Sequence, residues 1–432
     1  METSKYNIYH KVEDGMYIMN LVSEAIIKLN KENAKKFTNR DFESFNREEL
    51  DFLLDRYIVT KRKDDDIKVL MLRYGNAKYS DNSIYCTLIP TYECNFSCEY
   101  CYQDVIVNKS NKLVNVNVNE WFDNLLIFFQ GETINKDHLH IEWFGGEPTI
   151  FSDQIIEFNH KIREICKYNE CSFTCSMVSN GYLLDKKTYD RLHMSGLTNY
   201  LITIDGLQET HNQRRYLKDG SGSFDKIIEN VAYMSNTANL KLRINVDSNN
   251  ENEVIDLIKY LDDKIENKDN VQIIIAPVYN FTDNDLERYI KVLSDIYRNI
   301  KGYNFRFNLI DYLFKKEICM ASYKSHYSID IYGHIYKCIS LAGNSNFRDG
   351  IIDFEKMEIE YNDRMLDFIT FNPMFNNTCK ECIYLPICVG GCIIQKNQMY
   401  SNKLVNSSCI THTNCRLKYD KLVNQVFLTI EE

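Results

Sequence analysis

Three cysteines in the stretch CNFSCEYC, Cys94, Cys98 and Cys101, follow a C-x-x-x-C-x-x-C spacing. They are close enough to hold one metal centre, yet one ligand short of the four that an iron–sulfur cube or a structural zinc ion uses. Eight more cysteines lie in the last third of the chain: Cys319, Cys338, Cys379, Cys382, Cys388, Cys392, Cys409 and Cys415. That is the number two four-thiolate centres would use, and CKECIYLPICVGGC has the tight C-x2-C-x5-C-x3-C spacing of a metal loop. Its Gly390 and Gly391 would let backbone pass close to a bulky inorganic core. Paired C-x-x-C knuckles are also common zinc ligands, and the first motif separates the two readings. A structural zinc site closes with protein ligands, whereas three cysteines leave one corner of a cube open to a substrate or cofactor.

The chain that must position these groups has 432 residues, 44% hydrophobic and 26% charged, within the globular range. Its net charge of −10 and the lack of a Lys/Arg block longer than the short run at Lys61 exclude a broad nucleic-acid footprint. Apolar runs long enough to span a bilayer are missing, and METSKYNIYH lacks the pattern of a secretory signal, so no membrane partner is expected. The expected location is the cytoplasm, where 15 cysteines are better explained by metal ligation than by disulfides.

The first segment, residues 1–82, reads as a small winged-helix-like module. KYNIYHKV and MYIMNLV flank an EDG turn as a hairpin, REELDFLLDRYIV has apolar residues at helical spacing, and KVLMLRY returns to strand character. From Ser83 the pattern alternates. IYCTLIP, HLHIEWF, SFTCSMVS, YLITID, LKLRINV and VQIIIAPV read as strands, separated by helical stretches such as VNEWFDNLLIFF, SDQIIEFNHKIREICKY and FDKIIENVAYM. Such an α/β alternation implies a parallel sheet with helices outside, either a barrel or an open wound sheet, whose reactive groups lie in loops after the strands. CNFSCEYC follows the first of these strands. After about Phe305 the alternation stops; HYSIDIYGHIYKC reads as two strands around a turn, and the cysteine-rich remainder needs staples to stay folded.

CNFSCEYC after a first strand, with Tyr100 before the last cysteine, resembles the cluster loop of radical S-adenosylmethionine (SAM) enzymes. The tail, with Cys319, Gly333, Cys338 and CKECIYLPICVGGC, resembles the SPASM extension that carries two auxiliary clusters. The resemblance implies a partial (β/α)6 TIM-type radical SAM barrel over 83–305 and a C-terminal Fe–S-binding SPASM domain over 306–432. It also implies three [4Fe–4S] clusters. In the first, Cys94, Cys98 and Cys101 hold three irons and SAM chelates the fourth; one transferred electron then releases a 5′-deoxyadenosyl radical that abstracts hydrogen from substrate. WFGGEPT matches the family's GGEP element (Gly145, Gly146, Glu147), with Glu147 as acceptor for the SAM ammonium. Ser179 and Asn180 of SNG, and Thr203, Asp205 and Arg215 of ITIDGLQETHNQRR, match further SAM contacts, with Arg215 facing the SAM carboxylate. Asn212 stands where the family has an aspartate.

By the same resemblance, Cys319, Cys338 and Cys392 would ligate auxiliary cluster I. Cys379, Cys382, Cys388 and either Cys409 or Cys415 would ligate auxiliary cluster II, leaving cluster I with an open iron or a borrowed cysteine. The family nearest in pattern comprises peptide maturases acting on ribosomally made precursors, in which residues 1–82 would be a precursor-recognition element. The implied partners are a precursor peptide and a reductase such as flavodoxin or ferredoxin. The implied reaction is an intramolecular cross-link, a thioether in preference to a carbon–carbon bond. Sulfatase-activating relatives have an aspartate immediately after the cysteine that matches Cys338, where this chain has Ile339 and Ser340. Formylglycine formation is therefore the enzymatic alternative, and a non-catalytic iron–sulfur or zinc protein is the alternative of another class. Cys86, Cys166, Cys171 and Cys175 are expected in the core, and His193 and His211 are expected to be structural.

Overall fold

A computed structural model describes residues 1–103, 116–278, 283–300, 302–307, 309, 312, 318–393 and 412–431. The chain divides into two compact units that do not follow its linear order. One comprises Met1–Tyr79, Asn308–Cys319 and Thr370–Glu432; the other comprises Ser80–Phe307 and Met320–Ile369.

The first unit begins with β1 (Glu2–Thr3), β2 (Asn7–Val12), β3 (Gly15–Asn20) and β4 (Ile26–Asn30), the last three forming an antiparallel sheet. The hairpin turn requires Gly15, where a Cβ would fall 1.9 Å from the Leu29 carbonyl oxygen. Met16, Ile18, Ile27 and Leu29 on one face pack with Phe37, Phe42 and Leu53 from the helices Lys31–Thr38 and Arg47–Asp55 and the turn between them. β5 (Val59–Thr60) pairs with β1. KVLMLRY differs from the sequence expectation: it lies inside a helix, Asp65–Tyr79. The buried positions Ile67, Leu70, Tyr74 and Lys78 recur at helical spacing across the whole segment, and that period overrides the local apolar run.

The second unit is built on one ten-stranded sheet. β6 (Ser83–Ile89), β7 (His138–Trp143), β8 (Ser172–Ser179), β9 (Leu197–Thr203), β10 (Asn239–Val246) and β11 (Val271–Pro277) lie side by side in chain order, all parallel. Beyond β6 the sheet continues with β12 (His326–Asp330), parallel to β6, then β13 (His334–Tyr336), β14 (Gly350–Asp353) and β15 (Glu358–Tyr361), each antiparallel to its predecessor. The order is open, so the strands after the βα alternation extend the parallel sheet.

β7 shows why the sheet has two unlike faces. Leu139, Ile141 and Trp143 are fully buried, and the Trp143 ring lies 5.8 Å from Phe122 and 5.4 Å from Phe158, on the helices Val118–Glu132 and Ser152–Tyr168. Aromatic packing of this kind anchors the helices to one face. The alternate residues His138, His140 and Glu142 stand on the opposite face. Register places Lys241 of β10 on this same polar face, through Leu201 of β9 and Val178 of β8. Cys86, Cys166, Cys171 and Cys175 are buried, as expected of core cysteines.

Candidate functional site

The cysteine loop leaves β6 and is held from two sides. Glycines hold the first. A Cβ on Gly145 would fall 2.3 Å from Thr91 O, and one on Gly146 would fall 2.2 Å from Glu93 O. Their absence lets Gly146 N bond Thr91 O at 3.0 Å and Glu147 N bond Glu93 O at 2.9 Å. The close approach that these glycines permit is thus to the segment leading into Cys94. On the second side, Phe96 bridges Leu217, Ser97 N donates to Tyr216 O (2.9 Å) and Lys218 N to Asn95 O (3.0 Å), joining the loop to the segment that follows Arg215. Tyr92 anchors the loop's start, its hydroxyl donating to Asp330 Oδ2 at 3.0 Å at the end of β12.

Glu147 is fully buried. Oε1 accepts from Thr149 N (3.1 Å), Thr149 Oγ1 (2.5 Å) and Ser179 Oγ (2.8 Å), while Oε2 accepts from Asn180 N (2.8 Å). Burial raises its pKa and these bonds oppose the rise. Asn180 in turn donates from Nδ2 to Asn95 Oδ1 (2.7 Å) and, at 3.8 Å, to Cys94 Sγ, which also accepts from Phe96 N (3.4 Å). Glu147 therefore ties the GGEP and SNG segments together and, through Asn180, reaches the first cysteine.

A second network surrounds Tyr100. Its hydroxyl donates to Asp205 and accepts from Arg215 Nη1 (2.8 Å) and Asn245 Nδ2 (3.2 Å). Asp205 Oδ1 accepts from Asn245 N (3.0 Å), and Arg214 forks onto Asp247 at 3.0 and 2.8 Å. Asn250 Nδ2 spans Asp205 O and Asn245 O, both at 2.8 Å. Burial works against the charge of Arg215, and Tyr100, Cys98 and Asp205 outweigh it, so its pKa is raised. Thr203 ends β9 just before Asp205. The sequence reading missed Arg214, Asn245, Asp247 and Asn250; the only signal was a strand, LKLRINV, ending in the polar run DSNN, at the same end of the sheet as the other motifs.

His211 is structural, as expected. Its Nδ1 accepts from Asp205 N (3.2 Å) and its Nε2 faces Ser223 Oγ (3.1 Å), which donates to Arg215 O (2.6 Å). Burial, then Arg215 and Arg214, hold its pKa well below the usual range, so it is neutral. His193 packs on Tyr189, with Nδ1 3.2 Å from the hydroxyl, and takes no part in either network. Asn212 Oδ1 accepts from Ser223 N (2.8 Å) and Phe224 N (3.0 Å), capping the helix Phe224–Met234.

Among the described residues around the cysteine loop, the buried atoms left without a hydrogen-bond partner are Asn95 Nδ2, Gln103 Nε2, Arg214 Nε and Arg215 Nε. All four are donors. A donor surplus beside three thiols fits an electron-rich group such as a sulfide-bridged cluster with a carboxylate ligand. Among the described residues no three His, Cys, Asp or Glu side chains converge on one point as a single-ion site would require. Burial, with the charges of Cys101 and Cys338, the latter just after the β12–β13 hairpin, raises the pKa of Tyr102.

Of the remaining cysteines, Cys319, Cys379, Cys382, Cys388 and Cys392 belong to the first unit and Cys338 to the second. In CKECIYLPICVGGC, Asn376 Oδ1 caps Cys379 N (3.1 Å), and Val389, Gly390 and Gly391 all have positive φ, reversing the chain between Cys388 and Cys392. A Cβ on Gly390 would meet Pro373 Cβ at 2.7 Å, while one on Gly391 would meet only Cys388 Sγ, at 4.0 Å. Cys409 lies outside the described residues, as does the side chain of Cys415 in the helix His412–Glu431.

Residues 88–261 match the Radical SAM superfamily model. The cysteine-type anaerobic sulfatase-maturating enzyme of Clostridium perfringens is 23% identical over 323 residues, covering 69% of this chain and 85% of that protein. The serine-type enzyme of Bacteroides thetaiotaomicron is 30% identical over 147 residues, 32% and 33% of the two chains. Among solved structures, native anSMEcpe with bound AdoMet has a TM-score of 0.59 at 20% identity, covering 80% of this chain and 97% of its own. Streptococcus suis SuiB bound to the precursor peptide SuiA has 0.54 at 17%, covering 94% and 99%. No described helix is long and apolar enough to cross a membrane. The α/β sheet, the loop that bears Cys94, Cys98 and Cys101 and these matches agree: the chain is an enzyme that carries a radical SAM domain over residues 88–261, and its fold is similar to those of SuiB and anSMEcpe.

Proposed function

We propose that this enzyme is a peptide maturase that cross-links a ribosomally made precursor, with a thioether as the favoured bond. The observation that carries this reading is the extent of the fold match: SuiB with its precursor peptide spans 94% of the chain, against 80% for anSMEcpe. The β2–β3–β4 sheet supports it, since among the described residues no further strand pairs with its outer strands and a leader peptide could add there as a strand. Cys94, Cys98 and Cys101 would hold a [4Fe–4S] cluster, and the donors of Arg215 and Asn95 would face it and its SAM. Bound there, that pair supplies hydrogen-atom abstraction. Tyr100, Asp205 and Asn245 orient Arg215, while Glu147, Ser179 and Asn180 fix the loops. Cys319, Cys338, Cys392, Cys379, Cys382, Cys388 and one of Cys409 and Cys415 would serve two auxiliary clusters that take up the second electron.

Formylglycine formation is the second reading, favoured by the sulfatase-maturating relatives and disfavoured by Ile339 in place of an aspartate. Co-expression with a small peptide encoded nearby, followed by mass spectrometry, separates them. Each cross-link removes two hydrogens, whereas formylglycine formation from cysteine exchanges hydrogen sulfide for oxygen; an unmodified peptide counts against the maturase. Iron near twelve atoms per chain after anaerobic reconstitution would match three cubes.

A further inference from the structure

On the polar face of β7 and β8, five side chains form one hydrogen-bonded line. Ser176 Oγ lies 2.9 Å from His140 Nε2, and His140 Nδ1 lies 2.8 Å from Thr174 Oγ1. Thr174 Oγ1 lies 2.9 Å from His138 Nε2, and His138 Nδ1 lies 2.8 Å from Ser172 Oγ. Parallel register produces this spacing: His138 stands beside Ser172, His140 beside Thr174 and Glu142 beside Ser176. With a side-chain period of two, all six share a face.

One fixed point orients every proton in the line. Ser172 Oγ donates to the Asp137 carbonyl at 2.7 Å, and a carbonyl can only accept. Ser172 must then accept from His138 Nδ1–H, which leaves His138 Nε2 to accept from the Thr174 hydroxyl. Thr174 accepts from His140 Nδ1–H, and His140 Nε2 accepts from Ser176. Each hydroxyl and each ring donates toward the exposed Ser172 end, and Ser176 keeps a lone pair at the inner end beside Glu142. The groups facing the line are Glu142 from β7 itself, Lys241 from β10 and the Tyr85 ring from β6, 6.1 Å from His140 and 6.4 Å from His138. Both imidazoles must be neutral to donate and accept at once. Burial lowers both, His140 to about 4 with help from His138 and Lys241. Glu142 and Ser176 stand near the C-terminal ends of β7 and β8, the end of the sheet from which the cysteine loop and the GGEP and SNG segments lead, so the inner end lies on the side of the candidate site.

We infer that this line is an oriented proton wire that exports the proton released when the substrate is oxidised, with Ser176 as its inner acceptor and Ser172 as its outlet. The inference rests on the function proposed above. In a thioether cross-link, a C–H bond breaks with its hydrogen leaving as an atom and an S–H bond breaks with its hydrogen leaving as a proton. The C–S bond forms and one electron passes to an iron–sulfur acceptor. The alternative reactions also release one proton per substrate, which must reach solvent.

Thr174→Val keeps the shape of the central residue and removes its hydroxyl. Cross-linked peptide formed per 5′-deoxyadenosine should fall roughly tenfold, with recovery on adding imidazole and no loss in Thr174→Ser. An unchanged ratio in Thr174→Val, or a loss that imidazole does not restore in a variant of native melting temperature, overturns the wire. Independently, histidine nitrogen shifts of the oxidised, cluster-loaded protein at neutral pH should place the proton of both His138 and His140 on Nδ1. An Nε2–H tautomer or an imidazolium at either overturns it. If the native enzyme cleaves SAM without modifying any peptide, the maturase reading fails while the tautomers still judge the wire.

Discussion

Two carboxylates stand beside the cysteine loop, and they are used in opposite ways. Glu147 accepts four hydrogen bonds from neutral donors, all from Thr149, Ser179 and Asn180. Asp205 sits among Tyr100, Arg215, Arg214 and Asn245, and among the described residues both arginines next to it keep a buried Nε without a hydrogen-bond partner, that of Arg214 lying 3.9 Å from Asp205 Oδ2. The first network is closed within the protein, and the second leaves donors over. A saturated carboxylate stabilises loops, whereas surplus donors await a ligand. The sequence resemblance assigns both carboxylates to SAM; because Glu147 is already met by four protein donors, we propose Arg215, with its spare Nε, as the principal SAM contact and Glu147 as chiefly a fastener.

Glu147→Ala should produce the largest effect. It strands three buried donor residues at once, which at 1–3 kcal/mol for each unpaired group costs about 3 kcal/mol or more. The melting midpoint should drop by roughly 3–5 °C in a protein of this size, with or without SAM. A drop seen only with SAM present would reverse the comparison and return Glu147 to ligand binding.

Arg215→Lys tests the other side. Lysine keeps the charge but has no fork, so the Nε donor is lost. SAM affinity in the reconstituted protein, measured by calorimetry, should weaken by roughly tenfold, the value of one charged hydrogen bond. The melting midpoint of the ligand-free protein should change far less than in Glu147→Ala. Unchanged affinity would mean that the spare Nε has no ligand partner.

His211→Gln refines the Asp205 side through pH. Glutamine can accept from Asp205 N and donate to Ser223, but it does not titrate. Since His211 has a folded pKa well below its unfolded value near 6.5, the unfolded chain binds the extra proton. Its contribution to stability is therefore fully present above about pH 6.5 and is lost as pH falls below that value, by up to about 1.4 kcal/mol per pH unit. Glu147, with a raised folded pKa, acts in the opposite sense, but it is common to both proteins and cancels in their difference. Chemical denaturation between pH 7 and 5 should show a shallower loss in His211→Gln; parallel curves would mean that His211 is not held neutral.

The sequence revealed what depended on local pattern. β6 to β11 were legible because short apolar runs alternated with helical stretches, and the four motifs fell after strands as a parallel sheet requires. KVLMLRY misled because its helical period emerges only when it is read together with the flanking residues from Asp65 to Tyr79. HLHIEW shows the polar row of β7 as plain alternation, yet its significance needs the register that sets His138 and His140 against Ser172 and Thr174 from 34 residues away. Asn245 and Asn250 were illegible for the same reason: an asparagine after a strand acquires meaning only when Tyr100 or Asp205 comes to it.

The smallest expected effect concerns Asn212, where the family pattern has aspartate. Its Oδ1 receives two backbone N–H groups at the start of the helix Phe224–Met234, so the position is a cap supplied from another helix. A cap needs an acceptor and no charge, which is why asparagine serves. Asn212→Asp should add the attraction between a carboxylate and the helix N-terminus and stabilise by about 0.5 kcal/mol in urea denaturation at low salt. Asn212→Ala should cost about 1 kcal/mol. Neither should alter SAM affinity, because no donor of the Arg215 network runs through this side chain; a change in affinity without a change in stability would move Asn212 from the fastening side of the comparison to the binding side.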